Sequence, residues 1–419
     1  MLRRLREIQH NPLGFLYESQ QAFGDVVQFP IPKPATYLVS SPQGARDVLV
    51  TNHKLMSKRT VQYSTLALVT GEGLLTADTE TWKTSRRQLA PAFHHEMIGL
   101  ASEQVDKALA RLQANWQAET ATGSTIIDVD QTMMNLALEI TGATLFGADL
   151  SNRVDELTAA TLRALHGVVV RARSPLPMPL HFPTPNNLGM KSAIKKLDTA
   201  IHVIIKKRLA NPLGEGEPIR DMLDVLLDQT LEQPLSPRQI RDEIATFIVA
   251  GHETIASGLT WSWQLLGENP DQRDLLAENP DRAALVFDEA LRLYPPAWVI
   301  TRRTLADVEI DGFLIPADSL VIVSPWVVHR NPSLWVESEL FNPDRFTTGI
   351  PQIGYLPFGS GPRLCIGRDM ARLQGAQILR QLTQNWRLDL LHNEPVPIDA
   401  SVTLRPKGGL PMRLSRVAD

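Results

Sequence analysis

Apolar positions recur at helical spacing through most of the middle of the chain. Residues 96–116, 131–146 and 154–173 each carry apolar side chains three and four apart, which predicts three amphipathic helices. The strongest pattern runs over residues 236–266. Ser236 supplies an N-cap, Pro237 suits the first helical position and Gln239 completes a capping box. Gly267 and Pro270 supply stop signals. About 30 residues at about 1.5 Å each make a rod of about 45 Å. The stretch 244–250 is apolar on almost every face, so this helix is expected to pass through the interior.

The ends of the chain read differently. Residues 36–40 (TYLVS) predict a short strand and residues 42–50 a short helix. After Pro295 the alternation in VEIDGFLIPADSLVIVS, with turn residues between its apolar runs, predicts further strands. A last helix is expected over about 367–385. The pattern predicts a mainly α fold with small β-sheets, and the length allows one large fold or two closely packed lobes. β-rich parts over about 1–75 and 295–419 flank a helical part over about 76–294. Residues 174–187 (SPLPMPLHFPTPNN) hold five prolines and cannot form a regular helix. A surface loop of that length suggests a lid.

Composition narrows the function. The 419 residues are 43% hydrophobic and 21% charged, an ordinary globular balance, and a net charge of -4 gives no footprint for nucleic acid. The first 15 residues carry charges throughout and lack the apolar core of a signal peptide, and no run of about 18 apolar residues occurs. A cytoplasmic location is therefore expected. A monomer is expected as well. A single cysteine excludes an internal disulfide. No glycine-rich nucleotide fingerprint is present.

That cysteine lies in Phe358-Gly-Ser-Gly361-Pro-Arg363-Leu-Cys365-Ile-Gly367. Glycines and a proline put Cys365 on a tight loop, and a helix starts just after it. Free amides and Arg363 are expected to favour the thiolate, the form that ligates metal. No zinc-type cluster accompanies it, so one thiolate suits an axial haem ligand. The string resembles the haem-binding signature of the cytochrome P450 family, F-x-x-G-x-R-x-C-x-G, at every fixed position. A chance match in this chain has a probability of ~0.0001 from residue frequencies.

Three further segments carry the same resemblance. Glu289-Ala-Leu-Arg292 is similar to the family's E-x-x-R pair, and Pro343-Asp-Arg345-Phe346 to its P-x-R-F segment. The resemblance gives Glu289, Arg292 and Arg345 a structural role behind the haem. Ala250-Gly251-His252-Glu253-Thr254, inside the long helix, resembles the oxygen-binding motif. It implies that Gly251 lets dioxygen approach the backbone, that Thr254 offers a hydroxyl, and that Glu253, its pKa raised by burial, relays protons. His252 is given no role. Trp82, Arg86, Arg302 (with Arg303 as the other choice) and Arg363 match positions that hold haem carboxylates, and Phe358 and Gly367 flank the cysteine.

The resemblance implies a P450 fold, a haem-thiolate prism with a long central helix, in a single catalytic domain over residues 1–419. It implies haem b as cofactor, O2 as co-substrate and mono-oxygenase chemistry. Electrons are expected from NAD(P)H through a ferredoxin and a ferredoxin reductase, with Lys83, Arg87, Arg368 and Arg372 attracting the ferredoxin. Residues 289–303, 367–375 and 402–411 resemble the Thermus-type β-carotene hydroxylase, which implies hydroxylation of a carotenoid β-ionone ring. Leu66, Val69, Leu74, Leu75, Phe247, Ala297, Val299 and Val402 are expected to line an apolar substrate pocket. Loop 174–187 then serves as an access lid or as a peripheral membrane contact. The alternatives are a P450 acting on a fatty acid or terpene, a peroxide-dependent haem-thiolate enzyme, and a haem sensor or ligand-binding protein without turnover. Glu253 and Thr254 argue against the peroxide-dependent reading.

Overall fold

Several helices begin with the same device, a side-chain cap followed by proline, whose missing N–H is not needed in the first turn. Asn11 and Pro12, Ser41 and Pro42, Thr184 and Pro185, and Ser236 and Pro237 each start a helix in this way. The computed structural model describes residues 10–31, 33–174, 178–214, 216–230, 233–392 and 394–417. Helix α1 (Pro12–Phe23) leads into strands β1 (Val26–Phe29) and β2 (Thr36–Val39), helix α2 (Pro42–Arg46) and strand β3 (Met56–Ser57). The helical body comprises α3 (Val61–Thr70), α4 (Thr79–Leu89), α5 (His95–Glu119), strand β4 (Thr125–Asp128), α6 (Val129–Phe146) and α7 (Val154–Ala172). It continues with α8 (Pro185–Leu209), α9 (Met222–Leu227), α10 (Pro237–Glu268), α11 (Pro270–Glu278) and α12 (Ala283–Leu293). Then follow β5 (Ile300–Thr304), β6 (Val308–Ile310), β7 (Phe313–Ile315), β8 (Leu320–Val323), α13 (Pro325–Val328) and α14 (Arg368–Asn385). Strands β9 (Trp386–Leu390), β10 (Ile398–Ala400), β11 (Leu404–Pro406) and β12 (Pro411–Arg416) close the chain.

The largest sheet has the order β1-β2-β8-β5-β3, with β2 and β8 parallel and the other pairs antiparallel. Strands β4, β12 and β9 form a second sheet, and β6-β7 and β10-β11 are two-stranded.

Differences from the sequence reading are local. The helix expected over 42–50 changes after Arg46 into a π-helical turn over Asp47–Thr51. The long helix runs two residues further than expected. Gly267 stays helical, Asn269 caps the end, and Pro270 opens the next helix instead of only stopping this one. The last three residues of the expected 174–187 loop are helical, because Thr184 accepts from the Asn187 amide and Pro185 fits the first helical position. The remainder of that loop is pinned where described: the Asn187 side chain donates to the Pro179 and Phe182 carbonyls at 3.0 Å each. Residues 175–177, part of the expected lid, and residues 1–9 lie outside the described residues.

Helix α10 joins the two large hydrophobic cores. Its residues Ile240, Ile244, Phe247 and Ile248 pack into a cluster with α7, α8 and α9. Ile255, Leu259, Trp263 and Leu266 pack into another with α5, α6, α12 and α14. The segment between, residues 250–254, belongs to neither core and is where the helix borders a cavity.

Candidate active site

The cavity has a volume of about 750 Å³ and runs from Cys365 to α1 and β1, where Phe15, Leu16 and Phe29 line it. Its walls are mostly apolar. Helix α3 contributes Leu66, the following loop Leu74 and Leu75, and α10 Phe247. Ala297 and Val299 come from the chain before β5, and Val402 from the turn between β10 and β11. Val69 is the exception among the expected pocket residues. It is fully buried in the core packed between α3 and the neighbouring helices and does not reach the cavity. A three-residue step on a helix turns the side chain by about 300°, so Leu66 and Val69 share a broad face but not one neighbour.

Cys365 is exposed, but to the cavity. The loop that carries it is closed by the Cys365 amide donating to the Phe358 carbonyl at 3.0 Å. It also needs glycine at 361: φ is +70°, and a Cβ there would sit 2.1 Å from the Leu49 carbonyl oxygen. Phe358 and Gly367 both border the cavity. Burial among protein atoms pushes the Cys365 thiol up, while the Gly367 amide and the Arg86 and Arg368 charges pull it down. This corrects the expectation for Arg363. Its guanidinium is turned away, donating to the Ala77 carbonyl at 2.6 Å and to Asp78 at 3.2 Å, and lies 4.2 Å over the Trp82 ring. The net direction is upward from the ordinary thiol value.

Arg86, Arg302 and Arg363 all border the cavity, with Trp82 beside them. Arg302 is buried and donates to the Thr301 carbonyl, whereas Arg303 points outward to Asp318. A fourth cation joins them. Lys58 is 7% exposed, and its Nζ donates to the Leu75 carbonyl at 2.6 Å. Burial, Arg302 and Arg363 hold its pKa well below the ordinary lysine value, with Asp78 opposing. Sequence reading missed Lys58, since Ser57-Lys58-Arg59 looks like ordinary surface. Lys58, Arg86, Arg302 and Arg363 all face this cavity, with Asp78 paired to Arg363, and together they form a site for a group bearing more than one negative charge.

Across from the cysteine, Ala250, Gly251, Glu253 and Thr254 border the cavity. The Thr254 hydroxyl donates to the Ala250 carbonyl at 2.6 Å. A Cβ on Gly251 would lie 3.2 Å from Thr141 of α6, so this glycine also permits close approach of two helices. Glu253 is 3% exposed, its Oε2 has no hydrogen-bond partner, and burial pushes its pKa up to about 7 against the pull of Arg405 and Thr403. Arg405 pairs with Asp130 of α6, and the Leu404 carbonyl accepts from Ser257 and Trp261, so β11 is stitched along α10. His252 points away from the cavity with neither ring nitrogen partnered, and burial lowers its pKa to about 3.

Glu289, Arg292 and Arg345 do not border the cavity. Arg292 is fully buried, holds Glu289 at 2.7 and 2.9 Å, and donates to the His329, Ser338 and Leu340 carbonyls. Arg345 adds a contact to Glu289 at 3.3 Å. His329 extends this group toward the cysteine loop: Nδ1 meets the Arg292 carbonyl at 2.9 Å, and Nε2 accepts the Leu356 amide at 2.7 Å. Of the expected basic face, Lys83 pairs with Glu80 and Arg368 with Asp369, and Arg372 is committed to the buried Asp288. Among the described residues no helix is long and apolar enough to cross a membrane.

A profile of the family described as Cytochrome P450 matches residues 2–411. "Cyclooctatin synthase" of Streptomyces melanosporofaciens is 30% identical over 418 residues, covering 94% of this chain and 88% of that protein. "Cyclooctat-9-en-7-ol 5-monooxygenase" of the same organism is 28% identical, covering 95% and 88%. The crystal structure of CYP175A1 from Thermus thermophilus superposes with a TM-score of 0.81 at 33% identity, covering 98% of this chain and 97% of that one. A profile match over nearly the whole chain, joined to a fold shared end to end with a solved P450, leaves one assignment: this chain belongs to the cytochrome P450 family of haem-thiolate mono-oxygenases.

Proposed function

We propose that the chain hydroxylates a carbon of a carotenoid β-ionone ring. The observation that carries this reading is the shape and lining of the cavity. Its lining is mostly apolar and extends from the cysteine to α1 and β1, which suits a hydrocarbon with a long tail. The similarity of residues 289–303, 367–375 and 402–411 to the Thermus-type β-carotene hydroxylase points the same way.

Haem, when bound through Cys365, supplies the activation of O2. The protein residues have separate tasks. Arg86, Arg302, Arg363 and Lys58, with Trp82 alongside, would hold the two haem carboxylates. Phe358 and Gly367 shape the cysteine loop. Glu253, with a pKa of about 7, is part protonated at neutral pH and so can both take and give a proton. Thr254 holds its hydroxyl at the Ala250 carbonyl and can present its lone pairs to the cavity. Electrons come from NAD(P)H through a ferredoxin and its reductase, and Arg87, Lys83, Arg368 and Arg372 are the cations that would attract the ferredoxin, the last three while paired with Glu80, Asp369 and Asp288. Loop 174–187 is the part of the chain we assign to substrate access or membrane contact.

A ring-bearing terpene is the second reading, favoured by the names of the Streptomyces relatives. A substrate screen read by the haem spin state separates the two. β-Carotene should shift the Soret band to high spin at lower concentration than a cyclic terpene or lauric acid. Tighter binding of the terpene, with turnover by ferredoxin and reductase, would replace the carotenoid reading.

A further inference from the structure

A buried carboxylate that oxygen chemistry does not use sits in α10 roughly three turns before Thr254. Glu243 is 2% exposed, and its Oε2 accepts the Leu74 amide at 2.9 Å. Its neighbour Asp242 accepts the Glu72 amide at 3.1 Å. The loop they hold is pressed onto the helix so closely that a Cβ on Gly73 would lie 2.2 Å from the Thr246 hydroxyl. From the other side, Lys58 holds the Leu75 carbonyl. Two amides and one carbonyl of a five-residue stretch (71–75) are thus fixed by charged side chains, and the stretch delivers Leu74 and Leu75 to the cavity.

The two acids are not equivalent. Asp242 has cationic neighbours, Arg241 at 3.1 Å and Arg238 at 4.0 Å. Among the described residues no cation pairs with Glu243. From α4 only the Ser85 hydroxyl bears on it, from the loop only the Leu74 amide, and the charge that reaches it is that of Asp242.

We propose that Glu243 is a positioning residue for substrate recognition: it holds the Leu74 amide, and through it sets Leu74 and Leu75 as the wall that apolar substrates meet. A hydrogen bond to an ionised carboxylate is roughly twice as strong as one to a neutral group. Burial pushes the Glu243 carboxyl up to about 7, so the ionised fraction grows between pH 6 and pH 8 and the clamp tightens over the same interval. The inference rests on the reading that apolar substrates bind in this cavity above haem.

The test uses the haem-loaded protein and two iron-binding probes, miconazole, which fills the cavity, and imidazole, which does not reach its walls. Glu243→Ala should weaken miconazole on the order of tenfold, leaving imidazole affinity and the carbon monoxide spectrum unchanged. Glu243→Gln, which keeps an acceptor without charge, should fall between. The ratio of wild-type to Glu243→Gln affinity should grow from pH 6 to pH 8, and protonation of the azole cancels in that ratio. In a Leu74→Ala/Leu75→Ala background, Glu243→Ala should add nothing further. Unchanged miconazole affinity in Glu243→Ala, or an undiminished effect in the Leu74→Ala/Leu75→Ala background, overturns the proposal. Should Glu243→Ala fail to fold, Glu243→Gln and its pH ratio decide alone. Failure of imidazole to shift the wild-type spectrum would instead overturn the haem reading, and failure of β-carotene to shift it would overturn only the carotenoid.

Discussion

Lys58→Met separates a cofactor-binding cation from a structural one, because the two roles predict opposite signs. The substitution keeps most of the length and the apolar body of the side chain and removes the charge. In the wild-type protein that charge is buried, pushed well below its ordinary pKa by desolvation and by Arg302 and Arg363, and held by one carbonyl at 2.6 Å. Removing it relieves a repulsion among three cations, so the haem-free chain should be no less stable, and its denaturation midpoint should hold or rise. The haem complex should respond the other way. A charge-assisted hydrogen bond to a partly buried carboxylate contributes roughly 1.5–3 kcal/mol. At about 1.4 kcal/mol per factor of ten, haem should leave roughly 10- to 100-fold faster. The assay is transfer of ferric haem to excess apomyoglobin, followed in the Soret region. Arg302→Met should accelerate transfer similarly, while Arg303→Met, which only frees the exposed Asp318, should not. An unchanged transfer rate in Lys58→Met, or equal destabilisation of the haem-free and haem-bound forms, would refute the reasoning.

Three other outcomes are expected. Thr254→Ala removes the hydroxyl held at the Ala250 carbonyl, so NADPH consumption should continue while peroxide replaces hydroxylated product; full coupling would count against its role. Glu289→Ala strips the fully buried Arg292 of its anion and should lower the unfolding free energy by about 3–5 kcal/mol in urea denaturation, with Arg345→Ala costing less because that side chain is partly exposed. His329 is held at a pKa of about 3 by burial and by Arg292 and Arg330, against an ordinary 6.5. Between those values the unfolded chain takes a proton the folded chain refuses, so His329 makes stability fall as pH drops from 6.5 toward 3, by about 1.4 kcal/mol per unit. Glu243 and Glu253, raised to about 7, slope the opposite way between 4.5 and 7, so the effect is read as a difference from His329→Gln, whose urea midpoint should approach that of wild type as pH falls from 7 to 5.

Some of this is legible from residue order and some is not, for physical reasons. The central helix can be read because its start is encoded within four residues, Ser236 to Gln239, and its burial within seven, 244–250. The cysteine loop can be read because Gly361 must be glycine where it meets Leu49. Lys58 cannot, because charge in a sequence says nothing about burial, and the cations that crowd it, Arg302 and Arg363, come from β5 and the cysteine loop, hundreds of residues away. The Arg405–Asp130 pair beside Glu253 joins residues 275 positions apart and leaves no local pattern. Periodicity misplaces Val69 for a related reason: it identifies an inward helix face but does not distinguish a core from a cavity. Sequence proximity misplaces Arg363 because two residues along a turn can carry a side chain to its opposite side, here toward Asp78.

The central claim is that Cys365 is the iron ligand, and the carbon monoxide difference spectrum tests it most directly. The reduced wild-type protein with carbon monoxide should show the red-shifted Soret band of thiolate-ligated haem. Cys365→Ser should lose that band even where haem is retained, because no other cysteine exists in the chain. The same red-shifted band in Cys365→Ser would contradict the account at its foundation.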